Sequence, residues 1–377
     1  MTEQQKLPKY GRVTRENVAS TRERFSHRGR GSISNPTGRF EPEDRSAFDD
    51  GWGTIEDDVE PLRTTLTPES AKTIISFNRS PDIHFDRSIN PYRGCEHGCV
   101  YCFARPTHSY HGLSAGLDFE SKLFFKPNGP DLLRATLAKP SYNPRPIALG
   151  VNTDAYQPIE RRLQLTRTLL QILKDHNHPV TLLTKSNVIT RDIDLIAPMA
   201  EKGLVSVGVS ITTLDKTLAR KMEPRAATPP RRLDAIRQLS EAGIPTAIMT
   251  APIIPALNDD EIEALVEAGA DAGAGRAGYV LLRLPYELKD LFHEWLAEHA
   301  PDKAARVVNL LREIRGGKDY DAKWFERGHG SGVYATLIGR RFQRVTRKFG
   351  LNQPRPALRT DLFVPGPSDP KQMSLDI

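Results

Sequence analysis

The residues best suited to chemistry in this chain are Cys95, Cys99 and Cys102, the only cysteines among its 377 residues. They are spaced Cys-x3-Cys-x2-Cys within the run 90–103, Asn-Pro-Tyr-Arg-Gly-Cys-Glu-His-Gly-Cys-Val-Tyr-Cys-Phe. An odd count in so tight a loop is not a disulfide framework, because neither the geometry nor the number allows one. Three soft thiolates this close suit zinc or an iron–sulfur cluster. Both prefer four ligands, and there is no fourth cysteine. Two readings stay open on spacing alone. Either His97, His108 or His111 completes a Cys3His zinc site, or a cluster keeps one iron free for another molecule.

Such a loop needs a scaffold, and the remaining sequence alternates strand and helix patterns. Residues 147–151 form a short apolar run that reads as a buried strand. A helix over 159–176 follows, with Ile159, Leu163, Leu170 and Leu173 on one stripe. Further strands are expected at 180–183, 204–211, 244–250 and 278–284. Between them, a helix over 190–202 stops at Gly203, and another opens at Pro229-Pro230 and closes at Gly243. Asn258 and Glu261 have the spacing of a capping box before a helix carrying Ile262, Leu265 and Val266. With the strand just before Cys95, there are six strand–helix units. Apolar strands alternating with helices predict an α/β fold, a parallel sheet covered by helices and closed or nearly closed as a partial (β/α)6, TIM-like barrel.

A ligand site in such a barrel belongs at the C-terminal ends of the strands. The cysteine loop follows the first strand, at that end. Later strand ends carry Asn152-Thr153-Asp154-Ala155-Tyr156-Gln157-Pro158, then Thr184-Lys185-Ser186, then Ser210-Ile211-Thr212-Thr213, then Ala251-Pro252-Ile253-Ile254-Pro255. Each alone is an ordinary helix cap. Together on successive strand ends they outline a polar pocket.

The cysteine loop resembles the signature of the radical S-adenosylmethionine (SAM) enzymes. With Asn-Thr-Asp-x-Tyr-Gln-Pro, Thr-Lys-Ser and Pro-Ile-Ile-Pro, the chain is similar to the SplB-like members, relatives of spore photoproduct lyase, over about residues 66–350. The resemblance implies a [4Fe-4S] cluster on Cys95, Cys99 and Cys102, with SAM on the open iron. It implies Tyr101 and Phe103 beside the adenine, Thr153 and Asp154 at the methionine or ribose polar groups, Lys185 on the SAM carboxylate and Ser210 hydrogen-bonded to the cofactor. A flavodoxin- or ferredoxin-like reductant is implied as a partner. The chain departs from the pattern at Val151, where spore photoproduct lyases carry a cysteine that donates a hydrogen atom. Thymine-dimer reversal by that relay is therefore not expected, and Tyr156, Tyr279 and Tyr286 are alternative donors. The cysteine count also leaves none for auxiliary clusters.

Charge is unevenly distributed along the chain, whose net is +6. Residues 1–40 hold nine Lys/Arg against three Asp/Glu, and residues 41–60 nine Asp/Glu against Arg45 alone. Residues 61–377 hold 43 Lys/Arg and 35 Asp/Glu, a mildly basic body that admits DNA or RNA as a partner. Residues 1–65, with isolated Phe25, Phe40, Phe48 and Trp52, read as a polar extension, disordered or wrapped on the surface. The barrel spans 66–286 and added helices 287–350. The last of these helices combines an apolar stripe (Ile338, Phe342, Val345, Phe349) with Arg340, Arg341, Arg344, Arg347 and Lys348. A Pro-rich tail over 351–377 ends in Gln372-Met373-Ser374-Leu375-Asp376-Ile377, which resembles peptides that bind the bacterial sliding clamp. No apolar run is long enough for a membrane span and residues 1–11 lack a secretory core, so a cytoplasmic location is expected.

Overall fold

The computed structural model describes residues 29–41, 62–354 and 357–366. Its ten strands are β1 (Thr65–Pro68), β2 (Ile75–Phe77), β3 (Arg87–Ile89), β4 (Tyr92–Arg93), β5 (Lys122–Phe125), β6 (Ile147–Leu149), β7 (Val180–Thr184), β8 (Val205–Ser210), β9 (Thr246–Ile253) and β10 (Arg276–Leu281). Seven form one sheet in the order β10-β9-β8-β7-β6-β3-β2. The six from β3 to β10 in this sheet are parallel and adjacent in chain order, and β2 adds antiparallel to β3. These are the six expected strands. β2 and β10 are not paired, so the barrel is partial. On its open side the loop 78–86 meets the loop 314–331, where Arg327 holds both carboxylate oxygens of Asp82 at 2.7 and 2.5 Å.

The strands form because β-branched residues recur at alternate positions and are buried there, with half-buried residues between them. Val180, Val205, Val207, Val209 and Ile248 pack with Leu149 and Leu182 in the main core. The helix Leu165–Asp175 lays Leu165, Leu169, Leu170, Ile172 and Leu173 onto it, each contributing roughly 1.5–3 kcal/mol by leaving water. Its stripe continues the periodicity predicted over 159–176, although Gln164 in a left-handed conformation separates it from the single turn Glu160–Leu163. A second core lies under β10 and the helices Leu288–His299, Pro301–Glu313 and Gly332–Lys348, where Trp295, Phe292, Ile338, Phe342 and Val345 are buried.

Three features differ from the sequence reading. Asn258 and Glu261 do not form a capping box. The Asn258 side chain instead accepts the Ile254 N–H and donates to the Thr212 and Pro252 carbonyls, and Glu261 accepts the Thr213 hydroxyl and the Leu214 N–H. The open loop after β8 competes for these groups and wins. A small sheet, β1-β5-β4, sits beside the cysteine loop and was not expected. Part of the tail is docked, with the Arg359 N–H on the Gly203 carbonyl (3.0 Å), the Val364 N–H on that of His176 (2.9 Å) and Phe363 against Tyr142 and His178. The peptide 372–377 lies outside the described residues.

Candidate active site

β3 ends at Ile89, β4 turns the chain into the small sheet, and the cysteine loop follows at the C-terminal end of the barrel. Its backbone is fastened from several sides. Cys95 N–H donates to the Phe119 carbonyl (2.9 Å) and Val100 N–H to that of Met222 (3.0 Å). The Gln157 amide spans two strand ends, accepting the Glu96 N–H at 2.8 Å and donating to the Gly94 carbonyl at 3.1 Å.

The strongest fastening is Arg105, which is fully buried. Its Nε donates to the Cys99 carbonyl (2.8 Å), Nη1 to those of Ala115 and Gly116 (3.1 and 2.8 Å), and Nη2 to that of Gly98 (3.0 Å) and to Glu120 (2.6 Å). All five guanidinium N–H groups are thereby used. Glu120, equally buried, also accepts the N–H groups of Gly31 and Ser32 at 2.9 and 2.8 Å. The segment 29–41 thus straps across the loop. The fit is close. A Cβ at Gly31 would lie 1.7 Å from the Gly98 carbonyl oxygen, and Gly98 has φ +66° with the Glu120 carboxylate 2.5 Å from its own Cβ position.

Cys95 and Cys99 are buried and Cys102 half-buried. Burial pushes the Cys95 thiol well above its ordinary value and that of Cys99 to about 12. Asp154, Cys99 and Cys102 add to the rise at Cys95, and Glu223 and Cys102 to that at Cys99, where Lys185 opposes it, so full ionisation calls for a positive centre at the sulfurs themselves. Three sulfur donors on one short loop, waiting for positive charge and joined by no fourth cysteine, fit a cluster bound through three irons. Of the histidines, His97 Nδ1 lies 3.3 Å from Asp154, His108 Nε2 bonds the Lys122 carbonyl and His111 stacks on Phe124, while His108 Nδ1 and His111 Nε2 are buried without a hydrogen-bond partner.

The polar residues expected around the pocket converge on the same end. Asp154 accepts the Thr184 hydroxyl and the Lys185 N–H, both at 2.7 Å, beside His97. Burial alone would raise its carboxyl, but these partners hold it at about 2. Its role is to tie the ends of β6 and β7 to the cysteine loop. Thr153 and Ser210 commit their hydroxyls to the protein, on the carbonyls of Tyr92 (2.7 Å) and Ala251 (3.0 Å). Lys185 Nζ lies 5.7 Å from the centre of the Tyr101 ring. Burial lowers this ammonium, but Cys99 and Glu223 raise it further, so it stays charged.

Sequence reasoning missed the group behind Tyr101. Its hydroxyl bonds Glu223 and, at 3.1 Å, Thr212, and Glu223 is paired with buried Arg232. Arg232 in turn holds the Ser210 carbonyl at 2.9 Å. Burial would raise Glu223, but Arg232 and Lys185 hold it below the usual carboxylate range. Nothing in the linear order pairs residues 101, 223 and 232. Glu223 and Arg232 sit in a stretch dense in charge, between Arg220 and Asp234, so neither stands out in the sequence.

Phe103 is 43% exposed, and Arg283, just beyond β10, lies 4.6 Å over its ring. Tyr286 follows, 62% exposed and with φ +51°. Arg39 from the strap stacks on it at 4.0 Å and bridges to Phe40 and Tyr110, themselves stacked. Exposed aromatic rings therefore alternate along one rim of the barrel mouth with the guanidinium groups of Arg283, half-buried, and Arg39, paired with Glu287 at 2.5 Å. Of the three tyrosines, Tyr286 alone stands there. Tyr156 is in the main core, and Tyr279 packs on Phe342 and His329.

This constellation is that of a radical SAM protein. The sequence profile of the radical SAM superfamily matches residues 89–269. An uncharacterized protein of Mycobacterium tuberculosis is 36% identical over 242 residues, covering 63% of this chain and 71% of its own. Another, from Methanocaldococcus jannaschii, is 33% identical over 173 residues, 46% of this chain and 62% of its own. A spore photoproduct lyase mutant superposes with a TM-score of 0.55 at 16% identity, over 75% of this chain and 79% of that one. A second, with bound AdoMet and dinucleoside spore photoproduct, gives 0.54 at 17% over the same shares. At that identity the likeness is one of fold. The chain belongs to the radical SAM superfamily, its fold is that of spore photoproduct lyase, and its cofactors are a [4Fe-4S] cluster and SAM.

Proposed function

We propose that this chain is a cytoplasmic radical SAM enzyme that takes a hydrogen atom from a nucleic acid. Bound there, the cluster and SAM supply a reductive cleavage to methionine and a 5′-deoxyadenosyl radical, the abstracting species. Cys95, Cys99 and Cys102 hold the cluster, and Arg105 and Gln157 fix the loop that carries them. Lys185 pairs with the SAM carboxylate, its charge maintained by Glu223. Tyr101, anchored through Glu223 and Thr212, presents a fixed ring face, and Phe103 the outer one. Thr153, Asp154 and Ser210 act chiefly by holding strand ends in register. The observation that carries the substrate class is the aromatic–arginine rim, because rings and guanidinium groups in alternation suit unstacked bases and their phosphates. Val151 in place of a cysteine argues for an outcome other than the relay of spore photoproduct lyase.

Anaerobically reconstituted protein with SAM, dithionite and deuterated single-stranded DNA or RNA tests this directly. Deuterium in 5′-deoxyadenosine is expected with nucleic acid and not with a protein digest. A colourless, single-zinc protein would refute the reading at its root, and deuterium from the digest alone would refute the substrate class.

A further inference from the structure

A radical SAM enzyme also needs an electron, and the mouth is the place for SAM and substrate. A second cleft touches the cysteine loop from outside. It is lined by Arg30, Arg63, Thr64, Glu96 and Arg225. Glu96, the residue after Cys95, forms its acidic wall. Its carboxylate lies 3.1 Å from Arg225 and accepts the Thr64 hydroxyl at 3.0 Å. Arg225 also reaches the loop through its backbone, donating to the His97 carbonyl at 3.2 Å. Arg30 spans the cleft to the Leu62 carbonyl and Thr64. Exposed Arg63 makes no ion pair among the described residues. Among the described residues lining the cleft, three guanidinium groups therefore stand with one carboxylate, a positive surplus one peptide unit from a cysteine. Glu120, on the far side of Arg30, is already held by Arg105.

We propose that this cleft is the docking site of a small acidic electron-carrier protein, an inference that rests on the radical SAM reading. The charge surplus selects an anionic partner, and the position beside Cys95 gives the electron a short path that bypasses the mouth. With a flavin carrier, the anionic hydroquinone loses one electron and becomes the neutral semiquinone. The cluster gains that electron, passing from the 2+ to the 1+ state, and no bond or proton moves.

The test uses the reconstituted full chain with two probes, an acidic flavodoxin and an acidic ferredoxin, each reduced. Carrier affinity is measured by titration, and cluster reduction by stopped-flow absorbance, across a salt series. Both should weaken with salt, and Arg63→Glu should slow carrier-driven reduction by about tenfold or more, the scale of lost electrostatic steering. Arg63→Lys should restore it. Reduction by dithionite, which needs no docking, should be unchanged in either variant. Equal rates and affinities for wild type, Arg63→Glu and Arg63→Glu/Arg225→Gln with both carriers would overturn the proposal. So would an Arg63→Glu defect confined to binding of a labelled DNA oligonucleotide. Failure of the wild type to cleave SAM with dithionite would sink the parent reading and this one together. Dithionite-driven cleavage with carrier kinetics insensitive to charge would sink this one alone.

Discussion

Arg105 is the residue on which the cysteine loop most depends. A buried guanidinium with every N–H used is stable only while all its partners stay in place. Arg105→Gln removes the charge opposite Glu120 and frees four carbonyls, a type of change that costs about 3–5 kcal/mol. We expect a clearly lower melting temperature and iron and sulfide contents well below those of wild type after reconstitution. Normal loading would show that the loop holds itself. Lys185→Ala addresses the other side of the pocket. Losing a hydrogen bond to a charged group costs roughly 1.5–3 kcal/mol, so SAM affinity should fall by about tenfold or more while iron content stays normal. An unchanged SAM titration of the cluster's electron-paramagnetic signal would remove Lys185 from the cofactor site.

At the scale of elements, the barrel strands were legible because runs such as Val205–Ser210 alternate buried valines with small residues and end in polar residues. The small sheet was not, since β1, β4 and β5 are two to four residues long and mixed in polarity. Lys185 and the three cysteines announced themselves by type and position. Arg105–Glu120 and Glu223–Arg232 did not, because only the folded chain shows that these charges are buried and paired. The spacing of Asn258 and Glu261 misled for the complementary reason, that tertiary partners outbid a local cap.

Two histidines carry a pH dependence at this same scale. His178, at the entry to β7, bonds Tyr142 and the Pro179 carbonyl, and His108 braces β5 through the Lys122 carbonyl. Burial lowers both to about 4. Between 4 and the ordinary 6.5 the unfolded chain binds more protons than the folded one, so stability is full above that window and falls as pH drops through it. Each contributes a loss of about 2 kcal/mol by pH 5. Urea midpoints should therefore decline on acidification. A His108→Gln/His178→Gln variant should show a flatter profile, and an equally steep one would assign the effect elsewhere.

For the whole molecule, the rim and the outer cleft lie at the two ends of the strap, Arg39 serving one and Arg30 the other. The helix Gly332–Lys348 adds a third charged surface, where Arg341 is spent on Glu263 but Arg340, Arg347 and Lys348 line an open groove. Among the described residues no helix is long and apolar enough to cross a membrane. The resemblance of residues 372–377 to clamp-binding peptides is a separate proposal with its own test. Gln372→Ala with Leu375→Ala should abolish retention on immobilised sliding clamp without altering SAM cleavage. Retention equal to wild type would dismiss the clamp as a partner.

The back-to-back contact of Gly31 and Gly98 braces the backbone between Cys95 and Cys99 from outside. A loop clamped in this way opens less often, so the strap should slow the escape of whatever metal its cysteines hold. A chelator should bleach a chain shortened to begin at residue 42 faster than the full chain, even where both start with the same iron.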